Sequence, residues 1–72
     1  MRLFERYLIR RGNDLDAEYL HEDMHTFTRD VEEAWNDDDY RIALLVLDEH
    51  SSKASIVSRW WWFGWHEEEV KL

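Results

Sequence analysis

The sequence predicts a small α+β domain in which one amphipathic helix covers an antiparallel sheet of three strands, in the order β-α-β-β. Three patterns lead to this class: apolar residues recur at helical spacing over residues 16–36, branched and aromatic residues dominate the segments on either side, and polar turn residues separate them. All 72 residues are assigned to one domain, because a chain of this length has room for one core. The alternative is an all-helical bundle with helices over residues 2–11, 15–36 and 40–50.

The first strand is predicted at residues 2–11. Leu3, Tyr7 and Ile9 alternate onto one face of an extended chain, and the aromatic and branched content favours a strand over a helix. The Gly-Asn-Asp sequence at residues 12–14 then suits a chain reversal.

The predicted helix spans residues 16–36. Asn13 or Asp14 is expected to cap its amino end. Asp37, Asp38 and Asp39 follow its carboxyl end, where the helix dipole disfavours negative charge, so we expect this run to serve another purpose than helix stability. The apolar side chains that define the helix follow one another at spacings of four and three: Leu20, Met24, Phe27, Val31 and then Ala34 and Trp35.

The second half of the chain is predicted to form a hairpin of residues 40–48 with residues 54–65. The apolar run at 40–48 fits a buried strand or a short buried helix, and periodicity does not decide between the two. The polar residues 49–53 suit the turn of a hairpin, which favours the strand. Residues 66–69 are expected to form a solvated tail or a frayed helix.

Charge is distributed unevenly along the chain, whose net charge is -8. Four arginines lie within the first eleven residues, whereas residues 12–40 contain eleven acidic residues and Arg29 as their one arginine or lysine. Such a field repels phosphate and disfavours direct nucleic-acid binding. It attracts basic protein surfaces and speeds encounter with them.

The chain contains no cysteine, which excludes disulfides, thiolate zinc sites and thiol nucleophiles. The expected setting is therefore the cytoplasm. Its apolar runs are too short to cross a bilayer, so neither a membrane span nor a signal peptide is expected.

A short motif on the predicted helix suggests metal chemistry. Residues 21–25, His-Glu-Asp-Met-His, match HExxH, in which two histidines four apart on a helix bind one zinc and the glutamate polarises water. The motif resembles that of zincin metalloproteases, and this resemblance implies His21 and His25 as zinc ligands. The extended metzincin motif continues with a glycine and a third histidine, where this chain has Thr28 and Val31. We therefore expect no enzyme, no catalytic residue and no metal site, with His21 and His25 as the candidate ligands in the alternative.

The aromatic run at residues 59–65, Arg-Trp-Trp-Trp-Phe-Gly-Trp, is the second distinctive segment. On a strand, Trp60 and Trp62 would face one side of the sheet. One helix covers one face of a sheet, so one aromatic set is expected to be exposed. Arginine and tryptophan are enriched at binding hot spots. The predicted aromatic binding patch consists of Arg59, Trp61, Phe63 and Trp65.

Together these patterns predict a non-enzymatic, acidic protein-binding protein without a cofactor, whose partner is a protein with a basic surface. In charge and size the chain is similar to the small DNA mimics that phages use as antirestriction or anti-CRISPR inhibitors, and this resemblance implies a partner that handles nucleic acid. The alternative is a structural or regulatory protein that forms a homo-oligomer through the tryptophan-rich strand. The predicted acidic binding face consists of Glu18, Glu22, Asp30, Glu33, Asp37, Asp38 and Asp39.

Overall fold

The computed structural model describes residues 2–12, 15–49 and 53–70, and these contain five strands and one α-helix. A 3-10 helix at Val31–Glu33 lies in the connection between the third strand and the α-helix. The elements are β1 Leu3–Arg11, β2 Glu18–Leu20, β3 Phe27–Thr28, α1 Tyr40–Glu49, β4 Ala54–Trp61 and β5 Trp65–Val70.

The strands form one antiparallel sheet in the order β3-β2-β1-β4-β5. The long strand β1 lies at its centre and pairs with β4, where Ile9 is opposite Ile56. The predicted α+β class is confirmed, and so is the first strand. The predicted three-stranded sheet in the order β-α-β-β is wrong, because α1 follows three strands and precedes two.

Each face of the sheet has its own apolar cluster, because successive side chains of a strand point to opposite faces. On one face, Ile9, Leu20 and Ile56 pack together against α1, and each of these three side chains is 0% exposed. On the other face, Leu8 and Val57 pack against Ala34 of the connection. Complete burial of each large apolar side chain contributes about 1.5–3 kcal/mol.

The predicted helix over residues 16–36 is wrong. This segment forms β2, a loop, β3 and the 3-10 helix. Local hydrogen bonds from backbone amides to Asp and Thr side chains compete with helix formation. Asp23, for example, accepts the amides of His25 and Thr26. The apolar residues at helical spacing still reach the two clusters, but they do so from a folded-back hairpin.

The segment at residues 40–48 is a helix, so the predicted strand and its hairpin with residues 54–65 are wrong. Asp39 begins α1, since its carboxylate accepts the backbone amide of Arg41 at 2.9 Å in the manner of an N-cap. Ala43, Val46 and Leu47 form the buried stripe of the helix. No helix of the described residues is long and apolar enough to cross a membrane.

The second hairpin is made instead by β4 and β5, so the tail predicted at residues 66–69 is a strand. Ion pairs hold this strand to the sheet: Glu67 pairs with Arg10 and Glu68 pairs with Arg2, both at 2.8 Å. The acidic run does not reveal these contacts by itself, because its arginine partners lie more than fifty positions away in the chain.

The reversal after β1 is confirmed by the antiparallel pairing of β1 with β2. Gly12 has φ +85°, and a Cβ there would lie 2.7 Å from the carbonyl oxygen of Asp16, so only glycine fits. Asn13 and Asp14, the predicted helix caps, and residues 50–52 of the predicted turn lie outside the described residues.

Candidate protein-binding surface

The aromatic run forms the end of the β4–β5 hairpin. Trp61 pairs with Trp65 across the hairpin, and residues 62–64 form the loop between them. The amide of Trp62 donates to the carbonyl of Gly64 at 2.8 Å. Because the strand ends at Trp61, the predicted alternation of all five aromatic residues between two faces applies only up to that residue.

Several aromatic side chains at this end of the molecule point into solvent. Phe63 is 83% exposed and Trp65 is 53% exposed, while Trp62 is 39% exposed. Phe4 of β1 is 73% exposed and lies beside Trp65 at a shared groove. We call these four residues, together with the partly buried Trp61, the aromatic tip: Phe4, Trp61, Trp62, Phe63 and Trp65.

Two residues of the aromatic tip have a backbone conformation that large side chains disfavour. Phe4 has φ +56° and Phe63 has φ +54°. The β1–β4 register shifts between Leu3 and Arg6, so Phe4 lies in a β-bulge. Left-handed backbone costs a non-glycine residue about 1–2 kcal/mol. Neither burial nor conformation therefore explains the presence of phenylalanine at these positions.

A groove of about 200 Å³ runs from the aromatic tip toward the connection between β3 and α1. Its apolar walls come from Phe4 and Trp65 together with Leu8 and Val31. Its polar lining consists of Arg6, Glu32, Asn36 and Arg59.

The two arginines of this groove lie directly opposite each other on β1 and β4. Arg6 donates from Nε to the Oδ1 atom of Asn36 at 2.8 Å, and the guanidinium of Arg59 lies 4.1 Å above the ring of Trp65. We call Arg6 and Arg59 the arginine pair. Within the described residues, no carboxylate oxygen lies within 4.0 Å of either guanidinium.

Glu67 lies opposite Arg59 on β5, but both of its carboxylate oxygens are used elsewhere. Oε1 accepts from Arg10 and Oε2 accepts from the hydroxyl of Tyr19, at 2.8 and 2.7 Å. Burial, reinforced by the hydrogen bond to Glu67, raises the pKa of Tyr19 to about 12. This contact links β2 to β5 across the face of the sheet that carries the aromatic tip.

A second polar cluster lies on the helix side, beside a groove of about 650 Å³. The hydroxyl of the buried Ser58 donates to Glu5 at 2.6 Å, and Arg2 pairs with Glu5 and with Glu68. The hydrogen bond from Ser58 lowers the pKa of Glu5. Arg2 also lies over the ring of Trp60. The four polar groups satisfy one another, which makes this cluster part of the sheet's structure.

The predicted acidic residues do not share a helix face. Glu18 lies on β2 and pairs with Arg11 at 3.1 Å, and the other six lie along residues 22–39. We call residues 30–39 the acidic connection, which joins β3 to α1. It contributes Glu32 to the groove and therefore borders the aromatic tip.

Three of these acids organise the backbone of the acidic connection. Asp30, Asp37 and Asp39 each accept a hydrogen bond from the amide two residues further on, at 2.8–2.9 Å. The hydrogen bonds from Arg41 lower the pKa of Asp39. The expectation that residues 37–39 have no part in helix stability is wrong for Asp39, because this run precedes a helix instead of following one.

The remaining predicted acids are exposed. The amide of Glu22 donates to the carbonyl of Glu33 at 3.0 Å, so these two residues are neighbours. In the described part of the chain, neither Glu22 nor Asp38 forms an ion pair. Asp38 follows Asp37, which forms a β-bridge with Tyr7, so Asp38 lies close to β1.

The HExxH motif occupies the tight loop between β2 and β3, so its two histidines do not share a helix face. The amide of His21 donates to the carbonyl of Thr26 at 2.8 Å, and Asp23 accepts the amides of His25 and Thr26. These hydrogen bonds lower the pKa of Asp23 to about 2. No group of three potential metal ligands is found among the described residues. The helix that the zincin interpretation requires is absent.

Sequence reasoning found the aromatic run but missed Phe4 and Arg6, which complete the surface. Nothing local distinguishes them, since only the pairing of β1 with β4 brings them to the aromatic tip. Comparison of the chain with protein-family models, curated proteins and solved structures finds no match.

Proposed function

We propose that this chain is a non-enzymatic protein-binding protein whose partner docks on the aromatic tip. The observation that carries the proposal is Phe63, which is 83% exposed and has φ +54°. A phenylalanine in this position costs the fold stability and gains nothing from burial. Strained residues of this kind concentrate at functional sites.

The surroundings of Phe63 support a binding surface larger than one side chain. Phe4 is a second exposed phenylalanine with positive φ, and it lies at the same end of the sheet. Trp65 adds further exposed aromatic area. Aromatic side chains clustered in this way are typical of the hot spots that anchor a protein partner.

The acidic connection supports a partner with a basic surface. It borders the groove at the aromatic tip through Glu32, and its Glu33 and Asp38 are exposed elsewhere along the connection. Opposite charge on the partner would speed encounter and fix its orientation, while the aromatic side chains supply the affinity. An inhibitor of a nucleic-acid-handling protein is one member of this class.

The first test is photo-crosslinking in a lysate of the source cells. A photoreactive phenylalanine analogue replaces Phe63 in one variant and Leu45 in the matched control. Leu45 is 65% exposed on α1, so both probes are accessible. The proposal requires a defined protein crosslinked from position 63 and not from position 45, and competed away by unlabelled wild type but not by Phe63→Asn. Identical products from the two positions would overturn it.

The second test separates a partner protein from a second copy of the chain. We expect sedimentation equilibrium of the purified chain to give the monomer mass. A mass that rises with concentration, and returns to the monomer in Phe63→Asn, would assign the aromatic tip to self-association and overturn the proposal of a different partner.

The role of charge is tested on exposed acids whose carboxylates accept no hydrogen bond from the backbone of the described residues. Glu22→Gln, Glu33→Gln and Asp38→Asn together should weaken capture of the partner, and the wild type should lose partner at high salt, since salt screens exposed charge. Capture that ignores both changes would remove the basic surface from the proposal and leave the aromatic tip.

A further inference from the structure

We infer that the groove beside the aromatic tip binds a carboxylate of the partner polypeptide, held between Arg6 and Arg59. This inference rests on the proposed function and specifies the chemistry of the partner. It predicts a segment with one acidic group next to an apolar side chain, surrounded by basic residues that face the acidic connection.

The arginine pair places two positive charges side by side on neighbouring strands. Like charges directly opposite each other on two strands destabilise a sheet. The chain has 17 acidic residues, yet within its described part none pairs with either guanidinium. By contrast, Arg10 and Arg11 of β1 each pair with a carboxylate, at 2.8 and 3.1 Å.

The residues next to the arginine pair leave its two guanidinium groups without a carboxylate partner. Glu67 lies opposite Arg59, but Arg10 and Tyr19 occupy its two oxygens. Asn36 holds Arg6 through a neutral amide oxygen. Each guanidinium is thus positioned without being neutralised, as a site for an incoming anion requires.

The shape of the groove selects the kind of anion. Its volume of about 200 Å³ suits one amino-acid side chain, and Phe4, Leu8 and Trp65 give it apolar walls. Glu32 also lines it, and the net charge of the chain is -8. This negative field penalises a phosphate dianion more than a carboxylate monoanion, which favours an acidic peptide as the occupant.

The test uses small probes and the intact chain. N-acetyl-L-phenylalanine supplies a carboxylate beside an aromatic ring, and its amide is the neutral control. Binding is followed by NMR through the indole N–H of Trp65 and the Nε–H of Arg59. We expect the carboxylate to bind at least about tenfold more tightly than the amide, because hydrogen bonds to a charged group are the stronger kind.

Three variants assign the preference to the arginine pair. Arg6→Gln and Arg59→Gln should each reduce it to near unity, while Arg29→Gln, which changes an exposed arginine away from the groove, should leave it intact. Thermal unfolding checks that the first two variants remain folded, because relief of two opposed like charges works against the lost contact of Arg6 with Asn36 or of Arg59 with Trp65. Equal binding of acid and amide, or a preference that survives Arg59→Gln, would overturn the inference.

Phenyl phosphate provides the remaining comparison. Tighter binding of phenyl phosphate than of the carboxylate would replace the acidic peptide by a phosphate group and overturn the assignment. If Phe63→Asn abolishes capture of the partner while the groove shows no preference for the carboxylate, the proposed function stands and this inference fails. The opposite pair of results would leave the carboxylate site and remove the aromatic tip as the docking surface.

Discussion

The β2–β3 and β4–β5 hairpins each contain a non-glycine residue with positive φ in the loop. In one hairpin the side chain of this residue packs against the core, and in the other it is exposed. Met24 in the β2–β3 loop has φ +67° and Phe63 in the β4–β5 loop has φ +54°. The side chain of Met24 packs against the helix-side core, whereas that of Phe63 is 83% exposed. Burial offsets the strain at Met24, whereas within the described chain the exposed ring of Phe63 makes ring contacts only with its neighbours Trp61 and Trp62, at ring-centroid distances of 6.2 and 4.7 Å.

The loops also differ in how they are held. Asp23 accepts two backbone amides and the hydroxyl of Thr26 within the β2–β3 loop. The backbone of the β4–β5 loop is closed by a hydrogen bond from Trp62 to Gly64. The side chain of Asp23 thus stabilises the first loop itself, whereas the aromatic side chains of the second loop are largely exposed to solvent.

The largest expected effect concerns the buried end of the first hairpin. Leu20→Ala should lower the free energy of unfolding by about 3 kcal/mol, because it leaves a cavity where the side chain is fully buried. Leu45→Ala is the matched control, since Leu45 is 65% exposed, and it should change stability by less than about 0.5 kcal/mol. Urea unfolding measures both. Similar losses in the two variants would contradict the role of Leu20 as the anchor of β2.

Tyr19 tests the link between the two hairpins. Tyr19→Phe should cost about 1 kcal/mol, since it removes the hydrogen bond to Glu67. The raised pKa of Tyr19 favours its protonated form in the folded state. The contribution of Tyr19 to the free energy of unfolding is therefore fully present below pH 10.0. It is lost as the pH rises toward about 12.

Tyrosinate absorbance during an alkaline titration measures this pKa directly. Tyr19→Phe should remove a step with a midpoint of about 12. A titration that keeps this step in the variant would assign it to another tyrosine and contradict the contact between Tyr19 and Glu67.

The same substitution at the two strained loop residues should have opposite effects. Asparagine tolerates the left-handed conformation better than other non-glycine residues. Met24→Asn should lower stability by about 1 kcal/mol because lost packing outweighs relieved strain, whereas Phe63→Asn should raise it by about 0.5–1 kcal/mol. Thermal unfolding of both variants is the measurement. A loss of stability in Phe63→Asn would mean that Phe63 serves the fold.

The smallest expected effect is confined to the β2–β3 loop. The pKa of Asp23 is lowered from its ordinary value of 3.8 to about 2. The stability that the Asp23 carboxylate contributes is therefore present above pH 3.8 and is lost as the pH falls through about 2. NMR shifts of the amides of His25 and Thr26 should titrate with that midpoint. Asp23→Asn should abolish this titration and Asp38→Asn should leave it, while a midpoint near 3.8 would contradict the hydrogen bonds.

Sequence patterns predicted those parts of the molecule that have a clear local pattern of alternation or composition. Strand β1 and the exposure of an aromatic set followed from alternation and composition. The helical spacing of Leu20, Met24 and Phe27 misled, because a hairpin that folds back on a core can bring the same residues inward. The segment of α1 is predicted wrongly as a strand, since a short apolar run fits both kinds of element until the cap at Asp39 is recognised.

The arginine pair was beyond sequence reasoning for a different reason. Arg6 and Arg59 are more than fifty residues apart, and only the register of β1 with β4 makes them neighbours. Their shortage of carboxylate partners depends in turn on Glu67 being held by Arg10 and Tyr19. Such a property belongs to the assembled sheet and has no local signature.

Strand β5 lies at the edge of the sheet, where unpaired backbone groups invite the strands of other molecules. Its three consecutive glutamates, residues 67–69, place charged side chains along this edge. Charged side chains on an edge strand discourage its pairing with the strand of another molecule. The chain can in this way display aromatic side chains at its tip without offering an adjoining template for aggregation.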